Sequence, residues 1–436
     1  MTTTPTSASL SARESIPITP AFPGTPRAER LISVDLLRGI VMVIMALDHT
    51  RDFFTYARFQ PEDVAHTTLA LFFTRWITHF CAPVFFFLAG TGAFLSSTRK
   101  SPQEICDFLW KRGLLLVLME QTIFYFAWTG YPIFPGFIAL VIWALGWSMI
   151  FLALLVRWLP VRAIAAIGLA IIAGHNLLDR VPPERFGRFG IFWNILHVPT
   201  FHQFTTFHGI PVAGFVFYSL IPWIGVMAAG YAFGAILRKP AEQRRRWVLG
   251  IGTACVLLFV VLRLGHLYGN PPVDVSSFTP SNGDFALQAT ASQSVIAFLN
   301  VQKYPPSLQY LLMTLGPALI LLGLFDKLTP LSLPLPLPLR SWLRRAVLIY
   351  GRVPMFYYIL HLFLIHIMAI IVALAFQQPV MWLFKGAIFN GTPPGYGHGL
   401  PFIYLMWITA VVILYFPCKW FADLKARRKD WWLSYI

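Results

Sequence analysis

The sequence predicts an all-α fold: a polytopic integral membrane bundle of about ten transmembrane helices with both termini in the cytoplasm. Three observations carry that prediction. Only 12% of residues are charged against 57% hydrophobic, where soluble domains hold about 25% charged. Apolar runs of roughly 20 residues, the length that crosses a bilayer as a helix, recur along the chain. Lys and Arg gather in every second connecting segment, following the positive-inside rule. An ordinary soluble domain, a disordered chain and a disulfide-stapled module are thereby excluded. The net charge of +16 then reads as inner-loop charge, and no nucleic-acid partner is expected.

Taken in order, residues 1–30 are rich in Ser, Thr and Pro. They predict a disordered tail without the apolar core of a cleaved signal peptide. One transmembrane domain covers 31–420 and a basic cytoplasmic tail covers 421–436. The spans fall at about 34–54, 69–97, 110–128, 137–156, 162–178, 211–237, 247–266, 308–325, 346–374 and 401–418. With the N-terminus inside, inner segments hold Arg99, Lys100, Lys111, Arg112, Arg157, Arg162, Arg238, Lys239 and Arg244. An even number of spans returns the C-terminus to that side. The outer loops hold or border most of the histidines, and 179–210 and 267–307 are long. The segment 379–391 is too short to span and reads as re-entrant or interfacial. LTPLSLPLPLPLR (328–340) reads as a stiff polyproline-II linker. GTGAF (90–94) reads as a close helix contact. None of the four cysteines sits in an outer loop, so no disulfide is expected.

The first span, RLISVDLLRGIVMVIMALDHTRDFF, carries the most chemistry. Asp35 and Arg38 are i,i+3 neighbours at its inner end. Asp48, His49, Arg51 and Asp52 stand at its outer end, with His49 and Asp52 again i,i+3. No ionisable group lies between the two clusters, from Gly39 to Leu47, and Arg38 and His49 are roughly 16 Å apart along a helix. Arg38 paired with Asp35 could simply anchor the inner end, with His49 as an interfacial cap. Alternatively, one helix offers a cation to the phosphates of an activated donor inside and a base outside.

In the second span Arg75 and His79 share a face at i,i+4. A charge near the bilayer centre costs about 2.5–3.5 kcal/mol on insertion scales and marks a site by default. The alternative is a pair with an acidic neighbour, for which Glu120 in span three is a candidate partner of Arg75 or of a histidine. Pro83 is expected to free backbone carbonyls that polar neighbours must satisfy. In span nine, GRVPMFYYILHLFLIHIM, His361 is a mid-span site candidate. His366 lies on another face and reads as a buried, satisfied histidine. With no HExxH, CxxC or Walker loop, no metal is expected.

RLISVDLLRGIVMVIMALDH resembles the N-terminal signature of the heparan-α-glucosaminide N-acetyltransferase catalytic-domain family. TRWITHFCAPVFFFLAGTGAF, YSLIPWIGVMAAGYAFG (218–234) and GRVPMFYYILH are similar to its bacterial branch. Arg38 and His49 also resemble the Arg–His motif of the membrane O-acyltransferases of bacterial surface glycans. The resemblance implies a membrane acyltransferase of the inner membrane. Acetyl-CoA is the cytosolic donor, and the acceptor is an amine or hydroxyl of an extracytoplasmic saccharide. Joined to the residue readings above, this gives candidate cofactor contacts at Asp35, Arg38 and His361, and catalytic candidates His49, Asp52, His66, His79 and Arg75. Asp52 would orient His49, and Arg75 would stabilise an oxyanion. The reactive residue is His49 in the O-acyltransferase pattern. In the glucosaminide enzymes it lies in the loop after the first helix, where this chain offers His66; His49 is favoured. His49 could act as general base or form an acyl-imidazole. Expected partners are acyl-CoA, the saccharide, the bilayer and a second copy as a homodimer. The rival is a transporter or flippase with Arg75, His79 and Glu120 along its path and no covalent step. A haem-binding carrier using intramembrane histidines is the third reading.

Overall fold

The computed structural model describes residues 31–130, 136–207, 210–271, 283–326, 337–384, 391–428 and 430–435. The expected N-terminal tail and most of the expected 328–340 linker lie outside the described residues. Helix α1 runs Ile32–Phe54. A continuous helical stretch, Leu69–Ser97, joins α2 (Leu69–Trp76), a 3-10 turn (Ile77–Phe80) and α3 (Cys81–Ser97). Helix α4 (Pro102–Met119) begins at a reciprocal cap between Ser101 and Glu104, which satisfies two donors that the helix start leaves open. A π turn (Glu120–Phe124) leads into α5 (Tyr125–Thr129). Strand β1 (Gly136–Ala139), α6 (Val141–Trp158), α7 (Val161–Gly174), α8 (Gly190–Leu196), β2 (Thr200–Phe207) and β3 (Ile210–Val216) follow. The remaining helices are α9 (Leu220–Leu237), α10 (Ala241–Leu264), α11 (Ala291–Leu299), α12 (Leu308–Phe325), α13 (Leu337–Arg352), α14 (Pro354–Ala375) and α15 (Leu400–Arg427).

Eight of the described helical stretches are long and apolar enough to cross a membrane, so this is an all-α multi-pass membrane protein. Leu69–Ser97, Leu220–Leu237 and Leu308–Phe325 are central, each with 67% of its apolar window buried; Val161–Arg180, Ala241–Leu264 and Leu400–Arg427 are peripheral at 22%. These three expose Leu169, Leu257, Val261, Leu405 and Phe416, an apolar surface suited to lipid. The expected first and third spans are helical but fall short of that apolarity. The reason is charge: Asp35, Arg38, Asp48, Arg51 and Asp52 in α1, and Glu104, Asp107, Lys111 and Arg112 in α4.

Five boundaries differ from the sequence reading. The expected span 346–374 is two helices, because Pro354 has no N–H to continue α13 and instead starts α14. The starts of the expected spans at 137 and 211 are strand: β1 pairs in parallel with β3, and β2 pairs antiparallel to it, in the order β1-β3-β2. Residues 337–340 of the expected linker are the first turn of α13. Helix α15 continues nine residues past the expected end at 418, reaching Arg427 with Lys419 and Asp423 paired at i,i+4.

Two glycine contacts set the bundle. A Cβ on Gly39 of α1 would strike the Val347 carbonyl, and one on Gly351 of α13 would strike the Asp35 carbonyl. Gly90, in the GTGAF segment, meets the Met227 carbonyl of α9 in the same way, and Thr91 Oγ1 donates to Gly230 O at 2.9 Å. Gly39→Val is expected to cost at least the roughly 1–3 kcal/mol of an overpacked core, read as a lower unfolding temperature in detergent. Gly250→Ala, which meets no atom within 4 Å, is expected to leave that temperature unchanged or slightly raised.

The C-terminal end of α1 is pinned by the segment just before α15. Its last carbonyls have no helical partner. Tyr396 Oη donates to Phe53 O, and His398 N–H donates to Phe54 O, each at 2.7 Å. Pro83 frees the His79 carbonyl one turn back, and Tyr310 Oη donates to that oxygen at 2.8 Å.

Candidate functional site

Residues 38, 42, 45 and 49 are spaced three to four apart and form one stripe of α1. That stripe, Arg38, Met42, Met45 and His49, lines a wall of a cavity of about 290 Å³. Phe85, Ala89, Gly92 and Ser96 of α3 form a second wall at the same spacing, and Phe108, Arg112 and Leu116 of α4 a third. A Cβ on Gly92 would meet no atom within 4 Å, so glycine here leaves the channel wide. The lining is apolar along its length and charged at its ends. Arg38 carries one end, with Arg112 near enough to feel its charge. Asp48 and His49 carry the other.

Arg38 keeps its expected partner and still faces the cavity. Its Nη1 lies 3.6 Å from Asp35 Oδ1 and donates to Gly351 O at 3.2 Å. His49 is held by rings. Its Nδ1 lies 2.6 Å from His361 Nε2, with the two rings 4.9 Å apart and 20° from parallel. Trp128 meets His49 edge-on at 4.7 Å.

Beside His49 is a network of buried charges. Arg75 Nη1 binds Asp48 Oδ2 at 2.5 Å, and Arg75 Nε binds Glu62 Oε1 at 2.8 Å. Arg51 Nη2 lies 3.0 Å from Asp48 Oδ1 and 2.5 Å from Asp52 Oδ1. His79 Nε2 approaches Glu62 Oε1 at 3.3 Å. Asn300 Nδ2 donates to Glu62 O at 2.7 Å, fixing the loop that carries it. Burial pushes the Glu62 carboxyl up, but Arg75 and the His79 hydrogen bond outweigh it and hold that carboxyl well below its usual range. Buried charges persist only when paired in this way.

The structure thus brings Arg38 and His49 to one cavity, sets His361 on His49, and joins Arg75 and His79 through Glu62. Asp52 engages Arg51 rather than His49. His66 stands apart, exposed, with Nδ1 2.7 Å from Asp63 Oδ2. The expected pairing of Glu120 with Arg75 or a histidine gives way to another role. Its Oε2 accepts the Ile142 and Trp143 N–H groups at 2.9 Å each, capping the start of α6, where a carboxylate is favoured. His366 lies between two carbonyls, with Nδ1 2.8 Å from Ala127 O and Nε2 3.0 Å from Leu383 O, and its single N–H donates to one of them. Sequence reasoning missed Glu62, Arg112 and Tyr358 as members of the site. Arg112 had a signal, since it opens the apolar run of span three. Glu62 had none, being one acid in a polar loop. Among the described residues no group of three or more His, Cys, Asp or Glu could hold a metal ion.

Residues 30–265 match the family model described as heparan-alpha-glucosaminide N-acetyltransferase, catalytic. A comparison with curated proteins found no match.

Proposed function

The chain belongs to the heparan-α-glucosaminide N-acetyltransferase catalytic family, and from that premise we propose how this membrane acetyltransferase works. It moves an acetyl group from cytosolic acyl-CoA to an amine or hydroxyl of an extracytoplasmic saccharide, in the inner cell membrane. The observation that carries the reading is the one cavity lined by both Arg38 and His49. The donor's phosphates meet Arg38 and Arg112, whose guanidinium groups suit phosphate geometry. The acyl-pantetheine arm lies along the apolar stretch past Gly92. The thioester then reaches His49. His49 takes the proton from the acceptor as the acceptor's nitrogen or oxygen attacks the thioester carbonyl carbon. The C–S bond breaks, and the CoA thiolate leaves toward the inner end to be protonated there. Arg75 acts through Asp48, which it holds beside His49. Asp35 keeps Arg38 aimed.

Labelled acetyl-CoA, offered to the protein in nanodiscs with an amino-sugar acceptor, tests this. Arg38→Ala removes charge-assisted hydrogen bonds worth about 1.5–3 kcal/mol. It is expected to raise the KM for acetyl-CoA about 10- to 100-fold and to change kcat little. An unchanged KM would sink the donor assignment. His66→Ala is expected to keep near-normal turnover. Acceptor crossing chemically unaltered in sealed vesicles, with no thioester consumed, would favour the transporter reading instead.

A further inference from the structure

We propose that His361 is a positioning residue: its hydrogen bond fixes the proton on Nδ1 of His49 and leaves Nε2 of His49 as the base. The inference deepens the acyltransferase reading and takes its kinetic consequences from it. The proton placement itself follows from geometry.

His361 Nδ1 lies 3.1 Å from the Tyr357 carbonyl, one turn back on α14. A carbonyl oxygen only accepts, so that nitrogen carries a proton. A neutral imidazole has one N–H, and a wholly buried one stays neutral because an unpaired charge there is costly. His361 is fully buried, so its Nε2 is a lone pair. That lone pair sits 2.6 Å from His49 Nδ1, which must therefore be the donor. The remaining nitrogen of His49, Nε2, is left unprotonated on a ring that lines the cavity. Flanking rings pack against both imidazoles and favour this order. Tyr357 lies nearly parallel to His361 at 5.4 Å, and Trp128 and Tyr358 meet His49 edge-on at 4.7 Å and 6.1 Å.

The chain Tyr357 O, His361, His49 thus does for one imidazole what a carboxylate does in a Ser-His-Asp triad: it selects the tautomer. When Nε2 of His49 takes the acceptor's proton, the acceptor–carbonyl bond forms and the C–S bond breaks. The resulting imidazolium still donates its Nδ1 proton to His361 Nε2, so a hydrogen bond from a neutral ring becomes one from a charged ring, roughly twice as strong. His361 comes from α14, beyond the residue 265 where the family match ends, so the pair joins the matched part of the chain to the rest. It also changes the role of His361 from the donor contact expected from the sequence to one exerted through His49.

Two measurements test this. Spectra of ¹⁵N-histidine-labelled full-length protein in bilayers, with His49 assigned by its loss in His49→Ala, should show protonated Nδ1 and pyridine-like Nε2. His361→Leu should turn that signal into a mixture of tautomers, whereas His361→Gln, whose side-chain oxygen can accept, should preserve it. A pyridine-like Nδ1, or a His49 signal unchanged in His361→Leu, would overturn the proposal even if acyl transfer were never observed. In the transfer assay His361→Leu should lower kcat about 100-fold, the scale of base catalysis, with KM for acetyl-CoA within about twofold. His361→Gln should recover about tenfold of that loss. In a His49→Ala background His361→Leu should have no further effect, since a residue acting through another is non-additive with it. A raised KM, or an additive loss in the double variant, would return His361 to donor binding. Transfer unaffected by His49→Ala would instead overturn the assignment of His49 as base, while the spectra still report on the pair. Unfolding temperature in detergent identifies any variant that fails to fold, and the Gln variant then carries the comparison.

Discussion

His49→Ala is expected to lower kcat for acetyl transfer by about 10²–10⁴-fold, the range a positioned general base supplies. Binding of acetyl-CoA, measured by calorimetry on the protein in nanodiscs, is expected to change less than about threefold. The two outcomes belong together because His49 and Arg38 stand at opposite ends of one α1 stripe along the cavity wall. The alanine variant keeps the guanidinium that grips the phosphates and loses the ring that handles the proton. The small side chain also leaves His361 without its 2.6 Å partner, a neutral loss that the fold should tolerate. Full transfer by His49→Ala, with His66→Ala inactive, would move the reactive role to the loop after α1.

Arg75→Ala is expected to destabilise the protein by about 3–5 kcal/mol, the cost of leaving buried carboxylates without their counter-charge. Arg75 bonds Asp48 at 2.5 Å and Glu62 at 2.8 Å while only 11% of its own side chain is exposed. Its loss leaves Glu62 with only His79 and Asp48 with only Arg51. A second variant separates this from lost packing. Combining Arg75→Met with Asp48→Asn and Glu62→Gln removes the charges together and is expected to recover most of the stability. Unfolding in detergent, followed by tryptophan fluorescence, reads both. If the triple variant were no more stable than Arg75→Ala, packing rather than charge would be what Arg75 supplies.

How far the site could be read from residues alone varies along the chain. In α1 the spacing was legible, while the expected contact of Asp52 with His49 was not what packing produced. Helical spacing obliges residues 38, 42, 45 and 49 to share a face, and the absence of charge between the ends marks that face as one that could border an apolar channel. Pro83 announced a freed carbonyl, and a freed carbonyl demands a donor. The sequence had no means of naming Tyr310 as that donor, 231 residues away. Glu120 shows the opposite case. A buried acid in an apolar span invites a cationic partner, yet the start of α6 offers Glu120, at the head of the π turn, two backbone N–H groups. Backbone donors leave no mark in a sequence.

Composition, apolar length and charge placement were enough to identify a polytopic helical membrane protein. Helical periodicity was enough to put a guanidinium and an imidazole on one side of one helix. Those are local properties, fixed by which residues lie within a few turns of each other. Which histidine meets His49, which acid holds Arg75, and what Glu120 does were decided by packing. His49 and His361 are 312 residues apart, and their meeting depends on α1 lying backbone to backbone with α13 at Gly39 and Gly351, directly before α14. Contacts of that range depend on how helices seat against one another, and hydropathy reports only that they do.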